Sequence, residues 1–203
     1  MSTIYLIRHG ETKWNLEERF QGITNTELTE KGMQQGKQLA ERFKNKKISN
    51  IYASPLDRAK ITAGYIGEMV NKDVILTDDF KEISFGDWEG LTTTEIENKY
   101  SWAKEWFINP GNHQIPNGDD MEFEKKRLKE KLKEIALSNP HTFPNLIVSH
   151  AGIIRLAILG AMDLPLSYYW RLTFGNTCVN VLNYEDGRFV LKCLNDTSHL
   201  LKK

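Results

Sequence analysis

Residues 146–152 read Leu146-Ile147-Val148-Ser149-His150-Ala151-Gly152, and a helical run continues from Gly152 to Met162. An apolar triplet of this kind reads as a buried strand, and its passage into a helix is the pattern of a βα unit. The alternation recurs along the chain. Thr3 to Ile7 is a short β-rich run, and Thr29 is placed to cap a helix to about Lys44, with Met33, Gly36, Leu39, Ala40 and Phe43 along one face. Ile51-Tyr52-Ala53 is a second strand. Pro55 suits the first position of a helix carrying Ala59, Thr62, Ala63, Ile66 and Met69. Val74-Ile75-Leu76 is a third strand, and Thr92 with Glu95 forms a capping box. Leu128, Leu132 and Ile135 form the inner face of a charged helix from Glu122 to Glu134, and a hairpin from Thr177 to Tyr184 and Arg188 to Asn195 ends the pattern. Strands alternating with helices imply an α/β fold: a three-layer α/β/α sandwich around a mostly parallel central sheet.

The chain has 203 residues, and at about 150 residues per domain, with no repeat or linker, residues 1–203 are expected to form a single domain. Lys plus Arg and Asp plus Glu each number 27, so the formal charge is zero. That balance speaks against the basic face of a nucleic-acid binder. The apolar stretch Ile4-Tyr5-Leu6-Ile7 runs at once into Arg8-His9, too short for a signal-peptide core. The apolar window from Gly152 to Met162 contains Arg155 and falls short of a bilayer span. No membrane partner and a cytoplasmic location are therefore expected. With Asp186-Gly187 as a two-residue turn, Cys178 faces Asn195 and lies diagonal to Cys193, which favours two reduced core thiols. Oligomeric state is not legible.

In such sheets a ligand sits beyond the carboxyl ends of the strands. Three strands end in reactive residues here: Arg8-His9-Gly10, Ser54-Pro55-Leu56-Asp57-Arg58 and Ser149-His150-Ala151-Gly152. Two imidazoles and two guanidiniums converging on one crevice describe a receptor for a dianion such as phosphate, whose oxygens match the planar fork of arginine. Arg58 falls in the first turn of its helix, where a cation opposes the macrodipole unless an anion is bound there. A surface pair with Asp57 or a nearby Glu is the plainer reading of Arg58. His9 has three readings: a packed or surface histidine, a metal ligand, and a nucleophile. No His-x-His or His-x-x-x-His spacing supports the second. Neutral imidazole, with an ordinary pKa of ~6.5, suits the third.

Leu6-Ile7-Arg8-His9-Gly10-Glu11-Thr12 with Asn15 resembles the signature of the histidine phosphatase superfamily, in its phosphoglycerate-mutase-like branch. The likeness continues through Leu28-Thr29-Glu30-Lys31-Gly32, Ala53 to Ala59, Glu82-Ile83-Ser84-Phe85-Gly86-Asp87-Trp88-Glu89-Gly90 and Val148 to Arg155, five blocks in the family's order. The resemblance implies a phosphoglycerate-mutase-like fold and a metal-independent phosphomonoesterase with no cofactor. It implies that His9 becomes phosphorylated, that Arg8, Arg58 and His150 hold the phosphoryl group, that Asn15 adds a donor, and that Glu82 is the proton donor. A dianion beside Glu82 would favour its protonated form by like-charge repulsion, so substrate would switch the acid on. Glu11 and Glu89 are rival acids on residue type alone. His113, His141 and His199 have no such context.

One block departs from the family's pattern: Pro116-Asn117-Gly118-Asp119-Asp120-Met121 stands where members often carry Gly-Glu-Ser. The two acids are expected to be the cap and first-turn carboxylates of the next helix; pointing inward, they would disfavour highly charged substrates. The interval between Glu82 and His150 leaves little room for the inserted loops of longer mutases, which favours a phosphatase acting on a small-molecule phosphomonoester. Trp102, Trp106 and Phe107 fall where they would roof the crevice, or else pack a short helix. The final hairpin, through Leu194-Asn195-Asp196-Thr197-Ser198-His199-Leu200, is similar to that of α-ribazole 5′-phosphate phosphatases. That likeness implies a role in cobalamin synthesis. A broad-specificity or phosphoserine phosphatase, a phosphoglycerate mutase and a non-catalytic phosphate-binding module are the alternatives.

Overall fold

Apolar strand triplets and helical stretches alternate in the computed structural model, which describes residues 1–138 and 143–200. In chain order the elements are β1 (Ser2–Arg8), α1 (Lys13–Leu16), α2 (Glu30–Phe43), β2 (Ile51–Ala53), α3 (Asp57–Val70) and β3 (Val74–Leu76). Then come α4 (Thr93–Lys99), α5 (Ala103–Ile108), α6 (Met121–Ser138), β4 (Asn145–Ser149), α7 (Ala151–Ala161), β5 (Val179–Glu185) and β6 (Arg188–Asp196). The six strands form one sheet in the order β3-β2-β4-β1-β5-β6. The first four positions are parallel, while β5 runs antiparallel to β1 and β6 antiparallel to β5.

Because side chains alternate across a strand, β1 and β4 feed two cores. Ile7, Leu146 and Val148 pack with Leu39 and Phe43 of α2 and Ala59, Ala63 and Ile66 of α3. Ile4, Leu6 and Ile147 pack on the opposite face with Leu128, Leu132 and Ile135 of α6 and Ile154 and Ile158 of α7. Every residue of β4 is buried, as a central parallel strand covered on both faces requires. This is the three-layer architecture expected from the alternation.

Local signals hold where the chemistry is local. Thr29 accepts from the Gly32 N–H at 2.9 Å and starts α2. Thr92 and Glu95 exchange the two bonds of a capping box. Asp120 Oδ1 accepts from the N–H groups of Glu122 and Phe123, capping α6 as expected, whereas Asp119 instead accepts from the Ser84 N–H at 2.7 Å.

Three details differ. The third helix begins at Asp57 after Leu56, so Pro55 lies in the preceding turn. Met33 faces outward, and the buried place on α2 is taken by Gln35, whose amide oxygen accepts from the Glu11 N–H at 2.9 Å. In the final hairpin Glu185 pairs with Arg188, but two irregularities shift the register so that Val179 pairs with Asp196 and Val181 with Cys193. Cys178 therefore does not face Asn195. Both thiols are free, Cys178 buried and Cys193 only partly so. No helix among the described residues is long and apolar enough to cross a membrane.

Ile147 stands fully buried in the central strand, so Ile147→Ala is expected to cost about 2–5 kcal/mol. A urea titration checks this as a lower midpoint at unchanged slope.

Candidate active site

The tips of β1, β2 and β4 open onto one cavity of about 160 Å³ lined by Arg8, His9, Asn15, Arg58, Glu82 and Arg155, among others. A larger groove of about 620 Å³ lies between α2 and α3, but its lining holds no histidine or arginine. Chemistry, not size, marks the first as the site.

His9 is almost wholly buried, and its Nδ1 lies 2.7 Å from the Gly10 carbonyl oxygen. A carbonyl only accepts, so Nδ1 carries the hydrogen and a neutral ring leaves a bare lone pair on Nε2. Burial first, then the charges of Arg58 and Arg8, hold the His9 imidazolium well below its ordinary pKa. The ring is neutral at physiological pH.

His150 is arranged the opposite way. Its Nδ1 receives the Arg58 Nε–H at 3.1 Å, and arginine only donates, so Nδ1 is bare. Its Nε2 then donates to the Ser54 hydroxyl at 2.7 Å. Burial, Arg58, His9 and Arg8 lower its pKa well below the usual imidazole value. The two rings stand 5.1 Å apart between centroids. Both nitrogens of His150 are thus committed, and it backs Arg58 rather than lining the cavity.

Arg58 has no accessible surface. Besides His150 it donates to the carbonyls of Gly22 at 2.7 Å and Thr24 at 2.8 Å. Asp57 bonds Asn25 instead, so the surface pair with Asp57 does not form. Five guanidinium hydrogens less three bonds leave two for a ligand, one on each terminal nitrogen. Burial lowers its pKa to about 10, and it stays charged at neutral pH. Arg8 donates through Nη1 to the Phe174 carbonyl at 2.6 Å, while its buried Nε has no partner. Asn15 spends its amide oxygen on the Thr12 N–H and on Asn176, which leaves its Nδ2 open.

Glu82 sits at the start of α7, where its carboxylate accepts from the N–H groups of Gly152, Ile153 and Ile83. A Cβ at Gly152 would lie 2.6 Å from Glu82 Oε1, so only glycine admits this approach. Burial raises the Glu82 pKa, against the opposing pull of Arg58 and the three N–H groups. Of the rivals, Glu11 is turned away onto Thr29 and Lys31, and Glu89 is taken up by Ile23, Thr24 and Phe85. Neither lines the cavity.

Trp102, Trp106 and Phe107 do not roof the crevice. They pack with Trp88 in an aromatic cluster, with Trp106 fully buried, and the rings that reach the cavity are Phe20, Phe85 and Trp170. Arg155 also lines it: its guanidinium stands 4.9 Å from the Trp170 ring centre, and its Nε donates to the Leu172 carbonyl. Phe85 and Arg155 lie inside motif blocks, yet nothing in those blocks tells which side chains reach the crevice. Asp119 and Asp120 stay outside the cavity. His113 pairs with Glu105 and His199 bonds Thr177; His141 lies outside the described residues.

The model of the histidine phosphatase superfamily (branch 1) matches residues 4–197. Phosphoserine phosphatase 1 of Hydrogenobacter thermophilus is 31% identical over 201 residues, covering 98% of this chain and 95% of that protein. A probable phosphoglycerate mutase, GpmB of Erwinia tasmaniensis, is 31% identical over 206 residues, with 98% and 95% covered. A mutant phosphoserine phosphatase from Entamoeba histolytica, solved with phosphoserine, is 36% identical with a TM-score of 0.89, covering 99% of this chain and all of that one. A second structure from that organism holds 3-phosphoglyceric acid. A putative α-ribazole-5′-P phosphatase from Escherichia coli shares the fold, TM-score 0.83, at 24% identity with 97% of each chain covered.

The opposite protonation of the two rings is measurable. Long-range ¹H–¹⁵N spectra at pH 6 should show both neutral, His9 protonated on Nδ1 and His150 on Nε2. A charged imidazolium at either position contradicts this.

Proposed function

The chain belongs to the histidine phosphatase superfamily (branch 1) and is a phosphoric monoester hydrolase, and we propose that it dephosphorylates a small phosphorylated acid through a phosphohistidine at His9. The observation that carries this reading is the bare Nε2 of a buried, neutral His9 beside two arginines with open donors. Nε2 attacks phosphorus, an N–P bond forms and the ester P–O bond breaks. Glu82, whose pKa burial raises, gives its proton to the departing alkoxide. Water then attacks phosphorus, the N–P bond breaks, and Glu82 takes back one water proton while phosphate leaves with the other. His9 returns neutral with its Nδ1–H unchanged.

Arg58, Arg8 and Asn15 hold the three non-bridging oxygens. Positioning and charge neutralisation supply most of the catalysis of phosphoryl transfer, and the guanidiniums serve in place of a metal ion. His150 acts on the phosphoryl group chiefly through Arg58, which it fixes through Nδ1.

Arg155 supports the choice of an acid as substrate. It is one of four arginines on the cavity, with Arg8, Arg19 and Arg58; it is stacked against Trp170 and bonded to neither His9 nor Arg58, and a fork of this kind suits a carboxylate on the leaving group. Phosphoserine and 3-phosphoglycerate, the ligands of the Entamoeba structures, both carry one. The cavity is smaller than the roughly 300–1,000 Å³ of drug-sized ligand sites. That favours such compact acids over α-ribazole phosphate, for which 24% identity to a shared fold offers no substrate argument. The mutase reading rests on relatives such as GpmB and requires transfer between phosphoglycerate isomers instead of phosphate release.

Rapid acid-sparing quench during turnover should trap one phosphoryl group on His9, and His9→Ala should release no phosphate; an unmodified wild-type His9 sinks the reading. Arg155→Leu should raise KM for phosphoserine and 3-phosphoglycerate at least tenfold while p-nitrophenyl phosphate is little affected. Equal losses on all three would remove Arg155 from substrate selection.

A further inference from the structure

Glu89 lies outside the cavity, yet five donors converge on it from two segments, the weakest being the Ser84 hydroxyl at 3.5 Å from Oε1. Its Oε1 accepts from the N–H groups of Ile23 at 3.0 Å and Phe85 at 3.1 Å. Its Oε2 accepts from the Thr24 N–H at 3.0 Å and the Thr24 hydroxyl at 2.5 Å. The same short turn, residues 22–24, supplies both carbonyls that receive the Arg58 guanidinium. Amide N–H groups facing the carboxylate and carbonyls facing the arginine are two sides of one piece of backbone.

The turn is built for this contact. Gly22 has φ of +54°, and a Cβ there would lie 1.9 Å from Glu89 Oε1. A carboxylate is the side chain that satisfies several N–H groups at once, because both oxygens only accept. Phe85 belongs to the segment that carries Glu82. Glu89 therefore ties the backbone bearing the acid to the backbone that aims the arginine.

We propose that Glu89 is a positioning residue for Arg58: its carboxylate clamps turn 22–24, and the clamped carbonyls hold the guanidinium in the orientation that receives the phosphoryl oxygens. The proposal rests on the phosphate-binding reading of the site. Without the clamp the Ile23 N–H and the Thr24 hydroxyl lose their acceptor, the Thr24 N–H keeps only its bond to the Gln21 carbonyl at 3.2 Å, and the carbonyls of the turn lose their fixed direction. Arg58 remains charged and buried but no longer presents its two open donors together.

Tungstate, a phosphate mimic, serves as the probe, with binding read from quenching of tryptophan fluorescence, since Trp170 lines the cavity. Glu89→Gln is expected to weaken tungstate binding at least tenfold and to raise KM more than it lowers kcat. In an Arg58→Ala background the same change should weaken binding less than twofold, because the group it positions is gone. Equal weakening in both backgrounds, or none in the wild-type background, overturns the clamp. If Glu89→Gln does not fold, Thr24→Ala removes only the hydroxyl bond. It should weaken binding about threefold, again only when Arg58 is present. Wild-type protein that fails to bind tungstate counts against the phosphate site itself, whereas binding untouched by Glu89→Gln counts against the clamp alone.

Discussion

A guanidinium with no accessible surface, held by two carbonyls and an imidazole and paired with no carboxylate among the described residues, is the interaction on which this site depends. Taking a cation out of water costs several kcal/mol per ion unless an opposite charge or good hydrogen bonds replace the hydration. Arg58 receives only part of that compensation from neutral acceptors. The carboxylates of Glu82 and Glu89 favour its charge without a direct ion pair, and an anion bound in the cavity would add to them.

That constraint explains why three distant segments meet where they do. The tip of β2 delivers Arg58 on the first turn of α3, the tip of β4 delivers His150, and the loop after α1 delivers the carbonyls of Gly22 and Thr24. The parallel sheet brings strand ends of widely separated sequence to one edge. The same geometry sets the two imidazoles side by side with opposite tautomers, each dictated by a partner that can play only one hydrogen-bonding role. Glu82 adds a carboxylate that helix α7 holds by its first N–H groups, opposed by its own burial.

Much of this was legible in the chain. The apolar triplets, the Thr29 and Thr92 caps and the alternation of strands with helices depend on neighbours in sequence, and they specify the sandwich. The motif residues His9, Arg58, Glu82 and Asn15 stand at strand and turn boundaries and reach one cavity. What escaped depends on partners far apart. Whether Arg155 and Phe85 face the crevice or the core is decided by packing, not by their own blocks. Trp106 looked available to a ligand because nothing local reveals that Trp88, Tyr169 and Trp170 surround it. The hairpin shift likewise follows from irregular pairing near Val181, which alternation alone cannot encode. Arg58 was legible as an anion receptor, but its carbonyl partners came from a loop with no motif of its own.

The incomplete compensation of Arg58 also bears on how turnover ends. Inorganic phosphate keeps every oxygen that the ester presented to the cradle and loses only the organic remainder. On the proposed mechanism the cradle would hold what the reaction releases by the contacts it uses to capture what it consumes. Accumulating orthophosphate is then expected to act as a brake on the enzyme, with no second site required.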